Sequence, residues 1–343
     1  MSQDSNVTGE GGPGEDDRDD DILDRDLAPQ ARHATEPPPV YLIDASIYVF
    51  RAWHTMPDEL RDTDGWPTNA VHGFARFLLD VLERERPKHI AVAFDEALDS
   101  CFRNRLYPAY KANRDPAPDE LKRQFAHCKA LCAALGLVVL GHHDYEADDL
   151  IGSALQHARG AGHRGIILSA DKDLSQLLHI GDEQWDYARN QRWGVHGVKA
   201  RHGVDAHQIA DYLALSGDAV DNIPGVPGIG AKTAAVLLAH FGDLDSLLAR
   251  IDEVQFLRFR GAAQAAVKLR EHRDNARLFR QLTTIACDAP LGDGAPRFHR
   301  GSAEPIALGA LCDTLRFGPM TRRRVYTAGG LDFSAHAPQS GDA

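Results

Sequence analysis

The chain has 343 residues, of which 43% are hydrophobic, enough for two modest domains plus tails at an ordinary globular composition. Its longest apolar run, Leu131 to Leu140, is far short of the roughly 20 residues that span a bilayer. The N-terminus has no apolar signal-peptide core, so the protein is expected to be soluble. The net charge of −12 argues at first against a nucleic-acid partner, but residues 1–39 hold eleven acids and three bases. With nine acids identified below set apart, the remainder of the chain is at +5, a surface able to meet phosphates.

Five scattered cysteines (Cys101, Cys128, Cys132, Cys287, Cys312) make an odd set without CxxC. They read as small hydrophobes in a reducing, cytoplasmic setting. Residues 1–39 are acidic, punctuated by Gly and Pro, and end in Pro37-Pro38-Pro39. Such a segment buries too little apolar surface to offset its ordering entropy and is expected to be a disordered tail.

Order begins at Val40. Val40–Ile43 is a strand-like run that stops at Asp44, and a helical pattern over Asn69–Glu85 leads to a second strand, His89–Phe94, which stops at Asp95. A helix near Phe125–Leu135 precedes a third strand, Leu137–Leu140. Tyr145-Glu-Ala-Asp-Asp149 then opens a helix with Ile151, Leu155 and Ala158 at buried-face spacing. A fourth strand, Gly165–Ser169, is followed by Asp171-Lys-Asp173. Alternating strands and helices predict an α/β fold with a parallel sheet and crossover helices. Ligands in such sheets sit beyond the strands' carboxyl ends. Asp44, Asp95, the group Glu146, Asp148 and Asp149, and the pair Asp171 and Asp173 therefore all arrive at one edge.

A single acid there is more often a helix cap than a ligand. Four strands ending the same way point to a metal site. Two carboxylates about 5 Å apart repel by roughly 3 kcal/mol at an effective dielectric of 20, so a cluster this size calls for cations or for protons. All-carboxylate ligands suit Mg²⁺ or Mn²⁺ rather than zinc. The 17 histidines show no zinc-type spacing and read as surface residues.

Between the second and third strands, residues 101–124 carry six bases (Arg103, Arg105, Lys111, Arg114, Lys122, Arg123) against three acids, interleaved with Phe102, Tyr107 and Tyr110. A basic, aromatic insertion beside a metal site reads as a clamp for single-stranded nucleic acid. After a weakly patterned connection from Trp185 to His202, an apolar helix over 207–216 leads into Ser216-Gly-Asp-Ala-Val-Asp-Asn-Ile-Pro-Gly-Val-Pro-Gly-Ile-Gly-Ala-Lys-Thr233. Here Asp218 and Asp221 precede a turn with Gly225, Gly228 and Gly230, and a helix opens near Gly230. Free backbone N–H groups and the positive helix end equip such a turn to meet a phosphate. It is not a Walker A loop, because Ala231 stands where Gly must precede the Lys. A helix follows near Leu244–Ile251. Residues 255–281 hold seven bases against two acids and read as a duplex-backbone contact. Beyond about Pro290 the pattern fades, and residues 292–343 read as a poorly patterned extension with a flexible end.

The strings LIDAS, VAFD, YEADD, SADKD, YPAYKANR and SGDAVDNIPGVPGIGAKTA resemble the 5′-nuclease or flap-endonuclease family. The likeness is to the 5′→3′ exonuclease domain of bacterial DNA polymerase I and its stand-alone relatives, and it runs from about Val40 to Leu291. It implies a PIN-like nuclease core over 40–187 with a helical arch near 100–125. A helix–three-turn–helix DNA-binding domain would occupy 188–291. The family's metal-site acids fall on Asp44, Asp95, Glu146, Asp148, Asp149, Asp171, Asp173, Asp218 and Asp221, serving two Mg²⁺ with Mn²⁺ as a substitute. Lys111 and Arg114 match arch residues that meet the scissile phosphate, and Asp171 joins them as catalytic.

DNA contacts would come from Arg103, Lys111, Arg114, Gly225, Gly228, Gly230, Lys232 and Thr233, with K⁺ held in the turn by backbone at Val226 and Ile229. The implied substrate is DNA with 5′ ends, flaps or nicks, extending to RNA primers in RNA–DNA hybrids. A monomer working beside a separate DNA polymerase in replication and repair, away from membranes, is the expected setting. Two rivals remain open. A PIN-type ribonuclease shares the sheet and some of the acids, and a catalytically silent DNA-binding module would use only the turn and the basic helices.

Overall fold

The computed structural model describes residues 36–96, 101–292 and 298–336; the acidic tail through residue 35 lies outside them. Strand β1 (Pro39–Asp44) alternates its side chains, with Val40 and Leu42 joining one hydrophobic cluster and Tyr41 and Ile43 another. This period of two marks a strand buried on both faces. Helix α1 (Ala45–Thr55) follows without a break, capped by Asp44, whose carboxylate accepts from the Ile47 N–H. The sequence reading passed over α1, although Ala45, Tyr48, Val49 and Ala52 give it a buried stripe.

Helix α2 (Asn69–Glu85) leads to β2 (Ile90–Ala93), and α3 (Phe102–Leu106) and α4 (Asp119–Ala134) lead to β3 (Val138–Leu140). Helix α5 (Ala147–Gly160) then crosses to β4 (Arg164–Leu168), and a 3-10 turn over Asp173–Leu177 precedes β5 (Glu183–Asp186) and β6 (Gln191–Gly194). The sheet order is β3-β2-β1-β4-β5-β6. Every pairing is parallel except β5 with β6, which is antiparallel. The boundary expected between 187 and 188 would cut that hairpin, so the sheet continues to Gly194. Polar residues in both strands, Glu183, Gln184, Asp186, Gln191 and Arg192, hid this hairpin. Asp44 stands opposite Ala93 and Ala93 opposite Leu140, while Ile43 stands opposite Leu168. The strand ends are level, and the crossovers part between β1 and β4, opening a crevice there.

The remaining helices are α6 (Val195–His202), α7 (Ile209–Ser216), α8 (Ala231–Phe241), α9 (Leu244–Ala249), α10 (Ile251–Val254), α11 (Ala262–Glu271) and α12 (Arg273–Thr283). Leu213, Leu237, Leu247, Leu269 and Phe279 from this group share one hydrophobic cluster with Leu42, Ile151 and Ile167 of the sheet side. The helical half is therefore built onto the sheet's α5 face.

The C-terminal extension differs from the sequence reading. Helices α13 (Pro305–Thr314) and α14 (Pro319–Ala328) both open on Pro, and their Leu308, Cys312, Val325 and Tyr326 enter the cluster under α2 and α4. Arg324 binds Asp80 and Glu83 of α2. Three arginines in a row masked an apolar stripe.

Candidate active site

The level strand ends deliver the acids through short, rigid connections. Asp44 ends β1, and its Oδ2 accepts from Ser169 Oγ at 2.8 Å. Asp95 follows β2 and accepts from the Ala147 N–H at 2.8 Å, tying it to the start of α5. Glu146 caps α5 and Asp148 lies in its first turn. Asp171 turns back after β4 to accept from the Asp173 N–H at 2.9 Å. Asp218 and Asp221 arrive on the turn after α7. This turn is closed by paired N–H···O bonds between Asp218 and Ile223 at 2.7 and 2.8 Å.

These groups act on one another. Burial first, and then Asp95 and Asp171, push Asp44 up to about 7. Burial, Asp171, Asp44 and Asp95 raise Asp148 far above the usual carboxylate range. Asp173 is raised in the same way by burial and Asp171, with Asp218 and Asp221 adding to it and Lys172 opposing. Asp173 Oδ1 is buried and has no hydrogen-bond partner. Among the described residues, no three His, Cys, Asp or Glu side chains are posed as a finished metal cage. Cations instead stand among the carboxylates, Arg103 on Glu146 being one of them. Lys172 Nζ is 2.8 Å from Asp218 Oδ2, Lys111 binds Glu146 and lies 3.7 Å from Asp221, and Arg114 is 2.7 Å from Asp221 Oδ1. Burial aside, Asp95 and Asp171 nevertheless lie close enough to raise both Asp44 and Asp148, and Asp171, Asp218 and Asp221 close enough to raise Asp173. A buried oxygen without a partner and an all-oxygen donor set fit a hard divalent cation.

The insertion places its central turn over these acids. The Tyr110 hydroxyl lies 2.9 Å from Glu146 Oε2 and 3.0 Å from Asp221 Oδ2, and it was not singled out from sequence. Lys111 takes a left-handed φ of 54° and donates its backbone N–H to the Asp221 carbonyl at 3.0 Å. Asn222 Nδ2 to Ala109 O at 2.7 Å and Asn113 Nδ2 to Ala219 O at 3.0 Å dock this turn on the Asp218–Ile223 turn. A cleft of about 680 Å³ runs beneath, lined by Phe50, Trp53, Asp95, Tyr110, Lys111 and Glu146. A larger and more open cleft of about 870 Å³ beside it shares Trp53 and holds none of the nine acids. Of the nine acids, the smaller cleft is lined by Asp95 and Glu146.

Two expected site residues are placed elsewhere. Arg103, read as a nucleic-acid contact, is 3% exposed and faces inward. Asp149, read as a metal ligand, is fully buried against it. Asp149 Oδ1 accepts from Arg103 and from the Ala286 N–H, and Oδ2 accepts from Arg103 and from the Glu146 N–H, all at 2.7–3.1 Å. Four acceptor positions are filled, leaving none for an ion. Glu146 differs. Burial alone would raise it, but Lys111 and Arg103 outweigh burial and hold its carboxyl below the ordinary value.

In the Gly-rich turn, Gly225 (φ 68°) is required by the fold itself, since a Cβ there would lie 2.3 Å from the Gly217 nitrogen. Gly228 (φ 81°) and Gly230 have open space around them, and Gly230 is the N-cap of α8. Val226 and Ile229 are buried, with the Ile229 N–H donating to the Val226 carbonyl at 2.9 Å. Lys232 is exposed and Thr233 half-buried. In the basic run, Lys268, Arg270, Arg277 and Arg280 pair with carboxylates of the helical half. Much of the charge expected for a duplex is therefore already matched. No described helix is long and apolar enough to cross a membrane.

Fold and site together define an α/β chain whose largely parallel sheet carries an acidic edge. Residues 39–203 match the family model described as 5′-3′ exonuclease, N-terminal resolvase-like domain, and residues 204–304 match its C-terminal SAM fold. The chain belongs to the 5′→3′ exonuclease family. It is 38% identical over 307 residues to DNA polymerase I of Rhizobium leguminosarum and 40% over 280 residues to that of Pseudomonas aeruginosa. These matches cover 87% and 81% of this chain but only 29% and 30% of those proteins, so the chain spans about three tenths of their length. Among solved structures, the phage T5 5′-exonuclease with bound zinc aligns with a TM-score of 0.60 at 18% identity, covering 85% of this chain and 99% of that one. The catalytic core of Rad2 with a DNA substrate aligns with a TM-score of 0.57 at 15% identity, covering 84% and 91%. Both share the fold.

Proposed function

We propose that this chain is a metal-dependent 5′→3′ exonuclease and 5′-flap endonuclease that hydrolyses DNA phosphodiester bonds with a pair of divalent cations, Mg²⁺ by preference and Mn²⁺ as a substitute. The observation that carries the reading is the meeting of carboxylates from five chain segments at one sheet edge, where Asp44, Asp148 and Asp173 are pushed up by burial and by one another. Asp44, Asp95, Glu146 and Asp148 would hold the first ion and Asp218 and Asp221 the second, with Asp171 and Asp173 between them. Asp149 is left out of the set, because its lone pairs are spent on Arg103 and backbone. When bound, such ions polarise a phosphate and lower the pKa of a water molecule.

The chain's own side chains do the rest. Lys111 and Arg114, now paired with Glu146 and Asp221, would transfer to the scissile phosphate and stabilise the charge growing on its oxygens. Duplex phosphates would meet the N–H groups at the start of α8 beside Gly228 and Gly230, with Lys232 and Thr233 adjoining. A K⁺ at the Val226 and Ile229 carbonyls belongs to the same reading. A phage T5 flap endonuclease solved with DNA and metal ions and the Rad2 core solved with DNA lend support by likeness. The setting is DNA replication and repair by a monomer alongside a separate polymerase, with RNA primers in hybrids as further substrates.

Mapping products from a 5′-flap, a nicked and a gapped duplex, with and without Mg²⁺, tests the reading. Mg²⁺-dependent products bearing 5′ phosphates are expected. Preferential cleavage of single-stranded RNA would select the ribonuclease, and binding without products in Mn²⁺ would select the silent module.

A further inference from the structure

Arg103 belongs to the first helix of the insertion, yet none of its five N–H groups reaches solvent chemistry. Nε donates to the Leu282 carbonyl at 2.8 Å, and one terminal nitrogen donates to Asp149 Oδ2 at 2.7 Å and Glu146 Oε2 at 2.9 Å. The other donates to Asp149 Oδ1 at 2.7 Å and the Thr284 carbonyl at 3.0 Å. All five donors are satisfied, as are all four acceptor positions of Asp149. The partners come from two places, the start of α5 and the end of α12, and Arg103 ties both to the base of the insertion. Helix α12 in turn packs against α7, which leads into the turn carrying Asp218 and Asp221. The bidentate Arg–Asp fork is planar and rigid. It fixes the one metal-edge acid that Arg103 also touches, Glu146, against the helical half.

We propose that Arg103 is a positioning residue that sets Glu146 relative to the helical half, coupling the metal edge to the helices that carry the DNA-binding turn. The inference rests on the metal-dependent reading above. Groups that hold a ligating carboxylate in place typically change metal affinity by 10–100-fold when lost, whereas a residue contacting phosphate changes the salt dependence of DNA binding. These consequences separate the two roles.

The experiment compares wild type with Arg103→Lys, whose three-donor ammonium cannot reproduce the fork, and with Asp149→Asn, which keeps the carboxyl shape. Mn²⁺ binding is read by electron paramagnetic resonance without DNA. The salt slope of binding to a nicked duplex is read in EDTA. Arg103→Lys is expected to weaken Mn²⁺ binding roughly tenfold and to leave the salt slope unchanged, with Asp149→Asn moving in the same direction by less. A salt slope lower by about 1 with unaltered Mn²⁺ binding would make Arg103 a phosphate ligand, and no change in either would reduce the network to packing; both overturn the proposal. Absence of Mn²⁺ binding by the wild type would instead overturn the metal-dependent reading itself.

Discussion

Asp148 and Asp149 are neighbours in the first turn of α5, and the two regions they face could hardly differ more. Asp149 enters a closed knot in which every donor and acceptor is matched. Asp148 enters a crevice where burial first, and then Asp171, Asp44 and Asp95, raise its pKa far above normal. The same chemical group is fully hydrogen-bonded on one side of the helix and held among other carboxylates on the other. What decides between the two is how many of its lone pairs the protein has already used.

That contrast can be broken by mutation. On the crevice side, Asp171→Asn is expected to abolish cleavage in Mg²⁺ while leaving DNA binding intact or tighter, as single-turnover assays and filter binding would show; unchanged turnover would remove Asp171 from the site. Lys111→Ala and Arg114→Ala should each lower the cleavage rate by roughly 10²–10³-fold, the usual consequence of losing one group that stabilises transition-state charge. On the knot side, Asp149→Ala strands the buried Arg103 and should cost about 3–5 kcal/mol of stability, measured by urea unfolding. Asp148→Ala should leave the metal-free protein as stable as wild type or more so.

The pH dependence sharpens the comparison with a smaller effect. Asp44 has a folded pKa of about 7, above the ordinary value of about 3.9. Between these values the folded state binds a proton that the unfolded state does not, so metal-free stability falls as pH rises through about 7. Asp44→Asn keeps an N-cap for α1 and should raise the melting temperature more at pH 8 than at pH 5.5. An equal gain at both would mean that Asp44 is not titrating there.

The alternation of apolar runs made the sheet from β1 to β4 legible in the sequence, with α2, α4 and α5, because buried parallel strands read as short hydrophobic stretches. Their acid-terminated ends were legible for the same reason. The β5–β6 hairpin and α6 were not, since Gln191, Arg192 and His196 interrupt any apolar period. Arg103 sits among exposed bases in the sequence, and nothing local distinguishes it. Only the fold brings Asp149, Leu282 and Thr284 within its reach. Tyr110 was visible as an aromatic in a basic stretch, but its two carboxylate partners are 36 and 111 residues away.

The most direct test of the account is a titration of the metal-free wild type and Asp171→Asn with Mn²⁺, followed by electron paramagnetic resonance. A pair of bound ions in the wild type, with at least one lost in the variant, is the predicted result. Identical binding by both proteins would contradict the claim that the acids at the strand ends form one metal centre.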